Sequence, residues 1–131
     1  MREFNWPVRV YYEDTDAGGV VFYANYLKFF ERARTEMLRS IGFEQDKLMT
    51  EQTLIFVVRS VKVDYLKPAR FNDQLDVSAK VIEYKKTNFT FEQSITRGQD
   101  LLCTGEIRIA CLDAQSMKPK LIPSAILEQL S

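Results

Sequence analysis

The segment Glu13-Asp14-Thr15-Asp16-Ala17-Gly18-Gly19 sets two carboxylates at alternate positions and follows them with two glycines. Carboxylates attack carbonyls, take up protons or hold cations, and a glycine lets the main chain approach a ligand with no Cβ in the way. The chain contains no histidine. Acid–base chemistry near neutral pH therefore falls to another residue type, and a carboxylate of this segment leads the candidates.

Four kinds of chemistry fit such a segment unequally. Oxygen ligands at alternate positions before a glycine suggest a calcium loop, but counting from Asp14 the place for a closing bidentate Glu is Asn25, and Gly18 brings no side-chain ligand. Phosphoryl transfer through a nucleophilic aspartate needs a doubly wound parallel sheet, and the later strand-like stretches lack helices between them. Both are disfavoured on those grounds. Two readings stay open. In one, Asp16 is nucleophile or general base opposite the orphan N–H groups of the following helix, which can hold a developing oxyanion. In the other, Asp14 or Asp16 caps that helix or closes an Asx-turn.

The elements around the segment must position it. Residues 8–13, rich in valine and tyrosine, predict a first strand running into the loop, with Pro7 tolerated only near its start. Residues 23–41 predict a helix, because Tyr26, Phe30, Ala33, Met37 and Ile41 recur at three- and four-residue spacing. Arg32 is placed to pair with Glu36 one turn on, and Gly42 suits the left-handed position after the helix end. Stretches 54–66, 75–81, 89–96 and 101–112 read as strands separated by turn chemistry, and Pro123 opens a short helix to Leu130. Consecutive strands with short connections favour an antiparallel sheet, so the fold class is α+β. No linker, repeat or low-complexity stretch divides residues 1–131, which read as one domain.

Composition narrows the function. Eighteen basic residues balance 18 acidic ones, which removes any whole-chain attraction to nucleic acid or an anionic membrane and requires an anion site to be local. No stretch approaches the roughly 20 apolar residues of a membrane span, and a cytoplasmic location is expected. Cys103 and Cys111 are the only cysteines. On one strand they would lie about 27 Å apart at ~3.4 Å per residue, too far for a disulfide, so both are expected as reduced core residues. A structural zinc site is not expected without histidine.

The long run Val8-Arg9-Val10-Tyr11-Tyr12-Glu13-Asp14-Thr15-Asp16-Ala17-Gly18-Gly19-Val20-Val21-Phe22-Tyr23-Ala24-Asn25-Tyr26, followed by Phe29-Phe30-Glu31-Arg32-Ala33-Arg34-Thr35-Glu36, resembles the hotdog-fold acyl-CoA thioesterases. Among these it is most similar to the bacterial tol-pal-associated (YbgC-like) group, related to 4-hydroxybenzoyl-CoA thioesterase. Val57-Val58-Arg59, Pro68-Ala69-Arg70 and Met117-Lys118-Pro119 extend the likeness over nearly the whole chain.

The resemblance implies a long helix wrapped by an antiparallel sheet, and hydrolysis of a short- to medium-chain or aromatic acyl-CoA to the free acid and coenzyme A. It implies that Asp16 is the catalytic carboxylate and that the main-chain N–H of Tyr23 polarises the thioester carbonyl. Tol-pal-associated members usually carry His where this chain has Tyr23, which puts a side-chain role there in doubt and leaves the main-chain role intact. Lys85 and Lys86 align with a basic cluster that contacts the nucleotide end of coenzyme A in the 4-hydroxybenzoyl-CoA relatives, with Arg59 a weaker third. Phe22, Tyr26, Phe29 and Phe30 are candidates for an acyl pocket or for plain core. No cofactor or metal is implied. Homodimers or homotetramers with active sites at the subunit interface are, and an acyl carrier protein is a further expected partner. The rival reading is a non-catalytic module that binds acyl-CoA or acyl carrier protein without turnover.

Overall fold

The structure, a computed structural model, describes residues 2–130. Strand β1 (Glu3–Arg9) leads through a 3-10 turn (Tyr12–Asp14) and the acidic loop to helix α1 (Asn25–Ser40), then α2 (Gln45–Gln52). Strands β2 (Leu54–Tyr65), β3 (Gln74–Tyr84), β4 (Asn88–Arg97) and β5 (Asp100–Asp113) follow, and α3 (Ser124–Leu130) ends the chain. All pairings are antiparallel, in the order β1-β3-β4-β5-β2.

The sheet curls around α1, as the resemblance implies. The helix buries Tyr26, Phe29, Phe30, Ala33, Met37 and Leu38 in one core with Val77, Ala79, Phe91, Ile95 and Ile107 of the strands, whereas Ile41 of the predicted stripe is only half-buried just past the helix end. Gly105 on β5 permits the closest approach: a Cβ there would lie 2.9 Å from Phe30 Cε2. Gln93, 1 % exposed on β4, pins helix to sheet. Its amide donates to the carbonyls of Phe30 and Ser78, each at 3.1 Å, and its Oε1 accepts from Arg34 at 2.9 Å. A buried amide so placed fixes the depth at which α1 sits, because moving the helix would strand its donors.

Several expected boundaries shift, each for a physical reason. The first strand occupies Glu3–Arg9 instead of 8–13, with Pro7 inside it. Here β1 is an edge strand, pairing among the described residues only with β3, so a residue without an N–H breaks no ladder on its open side. Tyr12 to Asp14 form the 3-10 turn in place of a strand end. Helix α1 starts at Asn25, two residues later than expected, and ends at Ser40, one residue short of the expected Ile41, with Gly42 left-handed at φ 94°. Glu36 pairs with Arg39 and not with Arg32, whose guanidinium lies 5.6 Å from the centroid of Phe29. Cys103 and Cys111, both on β5, are buried free thiols. Of the proposed pocket aromatics, Tyr26, Phe29 and Phe30 are core, whereas Phe22 is exposed.

Candidate active site

The acidic loop is a folded turn whose two aspartates do different things. Asp14 is buried, and its Oδ2 accepts from the Tyr11 N–H at 2.8 Å, closing the 3-10 turn. Its main-chain oxygen accepts twice more, from the Phe22 N–H at 3.0 Å and from the Asn25 side-chain amide at 2.8 Å. The first residue of α1 is thereby tied to the start of the loop. Thr15 bridges Val21 across the turn, Asp16 N–H donates to Val20 O at 2.9 Å, and the Gly19 N–H donates to Asp16 O at 3.0 Å. Gly19 adopts φ 79°, a conformation costly for residues with a Cβ.

This folding leaves Asp16 exposed at the tip. Its Oδ1 accepts from the Gly18 N–H at 2.9 Å, which orients the carboxylate, and among the described residues no donor meets Oδ2. A Cβ on Gly18 would lie only 3.2 Å from that Oδ1.

On the other arm of the turn the chain enters α1 without a cap. Ala24 precedes the helix at φ −68°, ψ −22°, no side chain among the described residues caps it, and the first turn carries no acidic residue. Among the described residues no acceptor faces the N–H of Tyr23 or of Ala24. These groups stand at the positive end of the helix, where an anion is favoured. A shallow cleft of about 270 Å³ adjoins them, lined by Val21, Tyr23, Tyr26, Tyr65, Leu66 and Pro68. Farther along α1 a second cleft of about 290 Å³ has Arg34 and Thr35 on one wall and Phe56, Val58, Phe91 and Ile109 on the other. Burial pulls the Arg34 guanidinium down to about 10.

Two of the three expected coenzyme A contacts come together. Arg59 occupies a bulge where the β2–β5 register slips between Val58 and Ser60, and it lines a cleft of about 110 Å³ together with Lys85 and Arg108. Arg108 was not anticipated, since its alternation on β5 marks it only as outward-facing. Register places it opposite Ser60 and Thr90, and register is set by strands distant in sequence. Lys86 does not line that cleft; its carbonyl accepts from the Ile122 N–H at 2.9 Å. From Arg59 to Tyr65, whose hydroxyl touches the entry to α1, strand β2 rises roughly 20 Å, so one chain holds the basic cleft and the acidic loop apart.

Comparison with known proteins agrees with this architecture. The model of the thioesterase-like superfamily matches residues 10–130. An acyl-CoA thioesterase, YbgC, from Haemophilus influenzae is 48 % identical over 123 residues, covering 94 % of this chain and 90 % of that protein. The acyl-CoA thioester hydrolase YbgC of Escherichia coli is 46 % identical over 127 residues, covering 96 % and 94 %. A solved structure described as a probable thioesterase from Bartonella henselae superimposes with a TM-score of 0.89 at 34 % identity, covering 93 % of this chain and all of that one. The chain belongs to the thioesterase-like superfamily and has its hotdog fold.

Proposed function

We propose that this protein hydrolyses acyl-CoA thioesters to the free acid and coenzyme A, with Asp16 and the main-chain N–H of Tyr23 as the reacting groups. The observation that carries the reading is that one folded turn carries an exposed, oriented carboxylate at Asp16 and, on its other arm, an N–H at the entry to α1 that meets no acceptor among the described residues. The thioester oxygen accepts from Tyr23 N–H, which lowers the cost of negative charge as the tetrahedral centre forms. The Asp16 carboxylate attacks the carbonyl carbon or takes the proton of a water that does. Collapse of that centre breaks the C–S bond and coenzyme A leaves as the thiolate; where water attacked, the free acid forms directly, and where Asp16 attacked, the acyl group stays on it as a mixed anhydride that water then hydrolyses to the acid and the free carboxylate.

Size and chemistry of the clefts support a substrate class. A cavity of about 290 Å³ with an apolar wall suits a short- to medium-chain or aromatic acyl group. Arg59, Lys85 and Arg108 supply the local positive charge that a neutral protein needs for the phosphates of coenzyme A.

The complete site is shared between two copies. The outer edge of β2 has no strand partner among the described residues and exposes Val58, Val61 and Tyr65. Antiparallel pairing of two such edges would set the Tyr65 end of one copy beside the Arg59 end of the other, closing the roughly 20 Å gap within one chain. The test is a panel of acetyl-, butyryl-, octanoyl- and benzoyl-CoA assayed for thiol release. Turnover of compact or aromatic esters is expected; saturable binding with no release would make the protein a binding module instead.

A further inference from the structure

The two N–H groups without acceptors belong to consecutive peptide units, and each unit receives a hydrogen bond on its carbonyl side. The Phe22 carbonyl, which shares its peptide with the Tyr23 N–H, accepts from the Asn25 N–H at 2.8 Å. The Tyr23 carbonyl, which shares its peptide with the Ala24 N–H, accepts from the Tyr65 hydroxyl at 3.2 Å and from the Tyr26 N–H at 3.4 Å. A donor on the oxygen of an amide polarises the N–H of that same amide, because hydrogen bonds in a chain reinforce one another.

Tyr65 is built into this position. It ends β2, and its ring meets Tyr23 edge-on at 6.3 Å and Tyr26 at 5.3 Å. Tyr26 is itself buried, with its hydroxyl accepting from the Ala69 N–H at 2.9 Å, so the surface against which Tyr65 rests is fixed. The Tyr65 phenol, ordinarily at 10.0 and pushed higher by burial, is protonated and able to donate at neutral pH.

We infer that Tyr65 is a positioning residue for a two-donor oxyanion hole formed by the main-chain N–H groups of Tyr23 and Ala24, its hydroxyl holding and polarising the peptide that carries the second donor. The inference rests on the assignment of Asp16 and Tyr23 to the reaction. A tetrahedral oxyanion has lone pairs for two donors. A second donor whose direction is fixed beforehand stabilises that oxyanion with no reorganisation during the reaction. Removing a whole oxyanion donor costs on the order of 10²–10³ in kcat, and removing only the hydroxyl behind one costs less, about tenfold.

Tyr65→Phe deletes the hydroxyl and keeps the ring contacts. Its kcat and KM, measured with whichever of butyryl- or benzoyl-CoA turns over faster, are to be compared with those of wild type and Asp16→Asn. Isotope-edited infrared spectra of the thioester carbonyl bound to Asp16→Asn and to Asp16→Asn with Tyr65→Phe give a readout independent of turnover. The expected result is a kcat lower by about tenfold with KM and melting temperature held, and a carbonyl stretch moved toward its solution frequency in the double variant. An unchanged kcat in Tyr65→Phe and an unchanged carbonyl stretch in the double variant, while Asp16→Asn is inactive, would overturn the inference and leave the Asp16 assignment standing. A loss of kcat that only tracks a lower melting temperature would overturn it too. Near-normal turnover by Asp16→Asn would remove the assignment itself, and the inference with it.

Discussion

Asp14 and Asp16, two positions apart in one loop, are held in opposite states. The Asp14 carboxylate is buried against the Tyr11 N–H, whereas that of Asp16 is exposed and steered by the Gly18 N–H. One carboxylate is committed to the turn and the other is available to a ligand. Neither side chain caps α1: Asp14 closes the 3-10 turn, and Asp16 closes an Asx-turn on the Gly18 N–H while its carboxylate stays exposed.

Removing Asp14 is therefore a stability experiment. Asp14→Ala leaves the Tyr11 N–H without its acceptor in a part-buried turn, and should lower unfolding free energy by about 1–3 kcal/mol. Urea denaturation of Asp14→Ala and Asp16→Asn side by side checks this, with Asp16→Asn expected to unfold at the wild-type midpoint.

The contact between Gly105 and Phe30 sets a second test. A methyl group at Gly105 would sit 2.9 Å from Phe30 Cε2 and 3.0 Å from Ile107 Cδ1, all within the core. Gly105→Ala should cost about 1–3 kcal/mol through displaced rings, and Gly105→Ala with Phe30→Leu should recover part of that loss. Thermal melts of the two variants decide it.

How much of this was legible in the sequence follows from range. The α1 stripe, the glycine after it and the four later strands are local patterns and lie close to where they are expected, although Val61 and Tyr65 of β2 are exposed. Pro7 misled the first strand boundary because only the strand order reveals that β1 is an edge. Helix α2 shows no apolar periodicity, since Leu48 is the one buried residue of its eight and Met49, beside it, is exposed. The pairing of Arg32 with Glu36 failed because the guanidinium covers Phe29 and Arg39 reaches Glu36 instead. Arg108 joined Arg59 and Lys85 through strand register, which is fixed by contacts far apart in the chain.

The thiols predict a pH dependence. Burial pushes Cys103 up to about 12 and Cys111 up to about 11, from an ordinary 9.0. The folded state holds these protons more tightly than the unfolded one, so their contribution to stability is intact below 9.0 and declines as pH rises toward 11 and 12. Iodoacetamide at pH 8 should label neither cysteine in the native protein and both in urea, as read by mass spectrometry.

A shared site predicts complementation. Asp16→Asn in one chain and Arg59→Glu with Arg108→Glu in the other each spoil a different half. If the halves meet across two β2 edges, co-expressed chains regain activity at low substrate that neither variant has alone, because one of the two sites in the mixed dimer is intact. No recovery in mixed dimers verified by native mass spectrometry would place both halves in one chain.

Turnover by Asp16→Asn is the most direct test of the whole account. With the acyl-CoA that the wild-type protein hydrolyses fastest, coenzyme A thiol release by Asp16→Asn should fall by about 10²-fold or more while circular dichroism and melting temperature stay as in wild type. Release at a near-wild-type rate from the folded variant would contradict the assignment of the reaction to the acidic loop.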